Sequence, residues 1–282
     1  MQFFFIAKIE KYFFLLENVL IFLSQKMKII FIGDIFGKPG RNAVKKFLPK
    51  ILSRFSPDFV IANCENISGG IGIEQKNLDE ISEAKIDIFT GGNHSFSKME
   101  IWKKPPKNLL RPANFYDNSP GCGYKIFQKN NKKIGIINLL GQVFTKNFPI
   151  SPFQITEKIL KEWKKENLDG IFVDLHAEAT SEKYAFFRFF DGQISGIFGT
   201  HTHVPTADSQ ISDQKTFFIS DVGMSGPENS VIGVKNSVAV NNFLFPTGRK
   251  KFTAASGKGI FRGVFLETKQ GKAKNFQFLQ FC

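Results

Sequence analysis

IFGTHTH (197–203) is an apolar run that ends in imidazoles. Such a run reads as a buried strand that carries polar side chains to the rim of its sheet. Four other stretches end the same way: IIFIGD (29–34), FVIANCEN (59–66), DIFTGGNH (87–94) and IFVDLH (171–176). Ligands of open α/β sheets gather at that rim, beyond the carboxyl ends of the strands. The five ends supply all four histidines of the chain, His94, His176, His201 and His203, together with Asp34, Glu65, Asn66 and Asn93. A lone buried histidine is usually a hydrogen-bonded core residue, but four of four at strand ends argue for a shared site.

Outward from these strands, helical stretches are expected from the loop 34–41 to about Leu52, over 74–85, near 97–103 and over 152–167. Another helix should open within HAEATSEK (176–183), with Thr180 or Ser181 as its cap. Strands 123–128 and 133–141 read as a hairpin around Asn130-Asn131, and further strands fall at 194–199 and 216–221. From about 231 to 282 the pattern suggests short β runs and turns. Helices and strands alternate early and strands dominate late, which predicts an α/β protein of two sheets flanked by helices.

Composition narrows the class. Of 282 residues 42% are hydrophobic, enough for one large α/β domain, expected over 27–282. Three cysteines with no CxxC favour a reducing, cytoplasmic setting over a disulfide framework. The net charge of +13 favours phosphate-bearing partners, although the lysines are scattered in short solvated groups. Residues 1–26 are apolar but interrupted by Lys8, Glu10, Lys11 and Glu17. No uninterrupted stretch of them approaches the ~18–20 apolar residues of a membrane span. They read as an extension upstream of a domain that starts at Met27, and no stable membrane association is expected.

Carboxylate, amide oxygen and imidazole, with no thiolate, suit hard-to-borderline divalent metals. Two such ions ~3.5–4 Å apart need a ligand that touches both, for which Asp34 and Glu65 are the candidates. Asn66, Asn93, His176, His201 and His203 would complete the set, the last two facing one way at i, i+2 on an extended segment. A metal pair polarises phosphoryl oxygens and lowers the pKa of a bridging water toward ~7. His94, beside Asn93, would stand just outside the metals as a general acid for the leaving oxygen.

Seven motifs in order, GDIFGKPGR (33–41), ANCENISGGIGI (62–73), GGNHSF (91–96), LLRPANF (109–115), VDLHAEATSEK (173–183), GTHTHVPTAD (199–208) and SDVGMSGP (220–227), resemble the YmdB-like branch of the calcineurin-type metallophosphoesterases. The resemblance runs from Met27 to about residue 270. It implies a four-layer αββα metallophosphoesterase sandwich with a dinuclear centre. One ion would be held by Asp34, Glu65, Asn66 and His203, the other by Asn93, His176 and His201, with Glu65 bridging and His94 assisting. The usual DxH block of the wider superfamily is here Asp34-Ile35-Phe36, and the acid after GNH is here Ser95. Iron or manganese is the expected pair, with zinc, cobalt or magnesium as alternatives. The first functional expectation is a phosphodiesterase acting on 2′,3′-cyclic nucleotides. The alternatives are a phosphomonoesterase or nucleotidase, and a non-catalytic RNA-binding regulator with a structural metal site. A homo-oligomer is expected, and RPANF (111–115) and AEATSEK (177–183) are candidate walls of the base pocket.

Overall fold

Strand β1 (Lys26–Ile32) is central to the first of two sheets. The computed structural model describes residues 26–116, 118–145 and 150–282, so the expected N-terminal extension, apart from Lys26, lies outside the described residues. After β1 come α1 (Gly37–Phe55), β2 (Phe59–Asn63), α2 (Gln75–Ser82), β3 (Ile88–Thr90) and β4 (Leu109–Leu110). The hairpin β5 (Tyr124–Lys129) and β6 (Lys132–Leu140) leads to α3 (Pro152–Glu162), β7 (Gly170–His176), α4 (Thr180–Phe189) and β8 (Gly196–Thr200). The chain closes with β9 (Gln210–Ile211), β10 (Phe217–Ile219), β11 (Gly226–Pro227), α5 (Asn236–Leu244), β12 (Gly259–Lys269) and β13 (Lys272–Phe281).

The first sheet has the order β11-β12-β1-β2-β3-β4, with β13 paired to β12, and the second has the order β5-β6-β7-β8-β10-β9. Alternation along the strands makes the layers. Ile29 and Phe31 point between the sheets and meet Ile136, Phe172, Phe198 and Phe217. Ile30 and Ile32 point the other way, onto Val44 and Leu48 of α1. In the second sheet Val173 and Leu175 turn outward onto Ile159 of α3 and Phe186 of α4. Strands buried on both faces read as continuous apolar runs, which is why these stretches show little alternation. Phe31 and Phe198 stack at 4.4 Å across the two sheets, a contact of about 0.5–1.5 kcal/mol beyond its burial. The fold is the four-layer αββα sandwich that the motif order implied.

Several local expectations are corrected. Segment 236–244 is a helix, not a β run; it buries Val238 and Ala239 and leaves Phe243 and Leu244 exposed, which blurs its helical period. Helix α4 is preceded by Ala179, with no side-chain cap from Thr180 or Ser181. Glu182 in its first turn instead accepts the Gln142 and Val143 N–H groups. The predicted hairpin does form, with Asn130 and Asn131 both at positive φ (49° and 59°), as a type I′ turn requires. At Gly33 a β-carbon would lie 1.8 Å from the Gly223 carbonyl oxygen, so only glycine lets these two loops meet beside Asp34.

Candidate metal centre

The parallel strands β1, β2, β3, β7 and β8 end at one rim, and each contributes there. Asp34 follows β1, Glu65 and Asn66 follow β2, Asn93 and His94 follow β3, His176 ends β7, and His201 and His203 follow β8. A β-carbon on Gly92 would come within 2.2 Å of Glu65 Oε2 and 2.5 Å of the His176 ring. This glycine therefore lets Asn93 and His94 close against the other strand ends.

His176 is the hub. Its Nε2 lies 2.9 Å from Asn93 Oδ1, 3.0 Å from Glu65 Oε1 and 3.0 Å from His201 Nδ1. One donor atom each from Glu65, His176 and His201 lies within 4.8 Å of the others. Next to this group, His203 Nε2 is 3.3 Å from Asn66 Oδ1. Asp34 Oδ1 is buried, 3.7 Å from His176 Nδ1, with no hydrogen-bond partner among the described residues. The expectation that His201 and His203 alternate on an extended segment is corrected. Both have positive φ, 103° and 68°, so the turn sends His201 to His176 and His203 to Asn66. Such backbone costs of order 1–3 kcal/mol per residue and persists only where its surroundings hold it.

A second layer sets the tautomer of His176. Thr200 Oγ1 donates to Asp174 Oδ1 at 2.7 Å and so accepts from His176 Nδ1 at 2.9 Å. That leaves Nε2 facing the cluster. Burial alone would lower the His176 pKa, but the Glu65 carboxylate, backed by Asp34 and Asp174, overcomes it and holds the ring at about 9. Burial would raise Glu65, but His176 overcomes it and holds the carboxyl at about 2. His201 falls to about 3, first by burial and then by the charge on His176. Burial raises both Asp34 and Asp174, the latter to about 6. Buried oxygens and imidazole nitrogens crowd together here, and the single Nε2 proton of His176 serves several acceptors. The cluster fits a cation: its donors are carboxylate and amide oxygens and imidazole nitrogens, and Asp34 Oδ1 is a buried acceptor without a donor among the described residues.

Cys64 is not part of this donor set. Its Sγ donates to Thr90 O at 3.3 Å, and burial, reinforced by Glu65 and Asp174, pushes its thiol well above the usual range.

His94 stands apart. Its backbone N–H donates to Glu65 Oε2 at 2.9 Å, while its ring lines the cleft, 3.5 Å from Ser97 Oγ. The cleft has a volume of about 360 Å³, and Glu65, Asn66, His94, His201 and His203 are among its polar lining. Phe36, Ile71, Ile232, Val234 and Phe252 give the cleft its apolar lining. Phe36 packs edge-on to His203 at 5.5 Å, and Phe252 follows it at 6.3 Å.

Of the two stretches expected to wall the base pocket, only 177–183 reaches the cleft, through Glu178, whose Oε2 is 2.9 Å from His201 Nε2. RPANF is packing instead: Asn114 is fully buried and binds the backbone of Leu140 and Ile150.

The profile of the YmdB-like protein family matches residues 30–279. The chain belongs to this family. It is 39% identical over 245 residues, 86% of its length and 91% of the other's, to the 2′,3′-cyclic-nucleotide 2′-phosphodiesterase of Bacillus subtilis (strain 168). Its fold superposes on a crystal structure described as a novel phosphatase of Mycoplasma pneumoniae, with TM-score 0.86 and 35% identity, covering 91% of this chain and 94% of that one. A hypothetical protein from Thermus thermophilus is similar with TM-score 0.83 and 34% identity, covering 90% of this chain and 99% of the other. Among the described residues no helix is long and apolar enough to cross a membrane.

Proposed function

We propose that this chain hydrolyses 2′,3′-cyclic nucleotides at a dinuclear metal centre, with His94 as general acid. The observation that carries the proposal is the convergence of seven donor side chains on one rim, among them Asp34, whose buried Oδ1 has no hydrogen-bond partner among the described residues. Asn93, His176 and His201 would hold one cation, Asp34, Asn66 and His203 the other, with Glu65 shared between them. Two divalent cations here would polarise the phosphoryl oxygens and activate water. Oxygen and imidazole donors, with the nearby thiol kept protonated, favour iron or manganese over softer choices.

The chain's own residues do the rest. Thr200 and Asp174 keep His176 Nε2 toward the centre. Glu65 holds the His94 backbone at 2.9 Å, so that its ring projects into the cleft to protonate the leaving ribose oxygen. The apolar lining of Phe252, Ile232 and Val234 suits the flat face of a nucleobase. The 39% identity to a protein named for this reaction supports the substrate class. A cytoplasmic, reducing setting is part of the proposal, on the ground that three cysteines include no CxxC pair.

The test is a substrate panel with the Mn²⁺-loaded full chain: 2′,3′-cAMP, 3′-AMP and p-nitrophenyl phosphate. Turnover should be greatest on the cyclic diester. A protein that hydrolyses only the monoesters, or none of the three, contradicts the proposal.

A further inference from the structure

We infer that the buried pair Lys183–Asp221 is a clamp that fixes the turn carrying His201 and His203, which makes both its members positioning residues for the metal centre. The inference rests on the reading of these two histidines as metal ligands. Lys183 lies on α4 and Asp221 just past β10. Lys183 Nζ is 3.2 Å from Asp221 Oδ2, and their side chains are only 2% and 1% exposed. Both stand beneath the turn rather than among the side chains that line the cleft.

The pair grips the backbone on both sides of His201. Lys183 Nζ donates to the Thr200 carbonyl oxygen at 2.9 Å. Asp221 Oδ2 accepts from the Thr202 N–H at 2.9 Å and from the Thr202 hydroxyl at 2.8 Å. Asp221 Oδ1 accepts the Gly223 N–H at 2.8 Å, and the Asp221 carbonyl accepts the Thr206 N–H at 3.0 Å, so the grip is itself anchored to the following loop. Between the two held peptide groups His201 keeps φ at 103°, and His203 follows at 68°. Side-chain-bearing residues hold such a conformation only where the surroundings over-determine it. A released turn would move His201 away from His176 Nε2 and His203 away from Asn66.

A buried ion pair can often be replaced by apolar residues without loss of stability, whereas removing one partner strands a charge. A double variant removes both charges together, so weakened Mn²⁺ binding in it reports lost positioning and not a stranded charge. The experiment titrates Mn²⁺ into metal-free full-length protein and follows thermal melting. The variants are Asp221→Asn, Thr202→Val and the double change Lys183→Met with Asp221→Leu.

Asp221→Asn should weaken Mn²⁺ binding by about 10–100-fold, the range for supports of metal ligands. The double variant strands no charge but leaves the Thr200 carbonyl and the Thr202 and Gly223 N–H groups without their partners, so it should melt below the wild type and bind Mn²⁺ weakly. Thr202→Val, which loses only the hydroxyl contact, should show a smaller loss. If Asp221→Asn does not fold, the other two variants decide. A double variant that regains both stability and wild-type affinity overturns the clamp, as does an Asp221→Asn protein that binds Mn²⁺ normally. A wild-type chain that binds no Mn²⁺ overturns the metal reading and this inference with it.

Discussion

Replacing Thr200 with valine removes one hydroxyl from beneath the metal centre and keeps the shape. Thr200 is fully buried, and its hydroxyl joins His176 Nδ1 at 2.9 Å to Asp174 Oδ1 at 2.7 Å. Valine leaves both atoms buried without that partner. Each orphaned group costs about 1–3 kcal/mol, and removing the hydroxyl itself gives a little back, so roughly 2–4 kcal/mol is expected. At about 2–4 °C per kcal/mol for a chain of this size, the melting temperature should fall by roughly 4–16 °C. The second consequence is chemical. Without the hydroxyl the His176 ring is no longer held in one tautomer, and Mn²⁺ affinity should drop about 10–100-fold. Differential scanning calorimetry of the metal-free protein reads the first effect and Mn²⁺ titration the second. A variant that melts with the wild type and binds Mn²⁺ as tightly would refute the Asp174–Thr200–His176 relay.

Two further outcomes follow from the same geometry. His176 is held at about 9, so below that pH a cation must displace its proton. Mn²⁺ affinity should therefore rise about tenfold per pH unit toward 9 and level off above it. Calorimetry in buffers of different ionisation heat should find a proton released per binding event, and a pH-independent affinity between about 6 and 8 would contradict this. Phe252→Ala should raise the KM for 2′,3′-cAMP about tenfold, the order expected from one lost base–aromatic contact. A base-free ribose 2′,3′-cyclic phosphate should be hydrolysed unchanged, and an equal effect on both substrates would remove Phe252 from base recognition.

Most of the rim was legible in the sequence because buried parallel strands are apolar runs, and their polar ends stand out against them. Asp34, Glu65, Asn66, Asn93, His176, His201 and His203 all reach the place where those runs stop. What escaped has physical causes. Asp174 sits two residues before His176 on the same strand, and a period of two puts both on one face, but an acid inside an apolar run carries no mark of the partner it supports. The path of the His-Thr-His turn depends on positive φ, which nothing in three ordinary residues announces. Phe252, Ile232 and Val234 come from a stretch whose short apolar groups resembled strands. The place of Phe252 in the cleft depends on its tertiary contact with Phe36, not on local pattern. Lys183 and Asp221 are 38 residues apart and meet only when α4 and β10 close over β8.

Metal content measured beside turnover in His94→Ala and His176→Ala separates the roles of the four histidines. His94→Ala should keep its full complement of Mn²⁺ and lose about 10²–10⁴-fold in kcat on 2′,3′-cAMP. His176→Ala should lose metal and activity together. His94→Ala protein that sheds its metal, or that turns over at the wild-type rate with metal bound, would contradict that separation of roles.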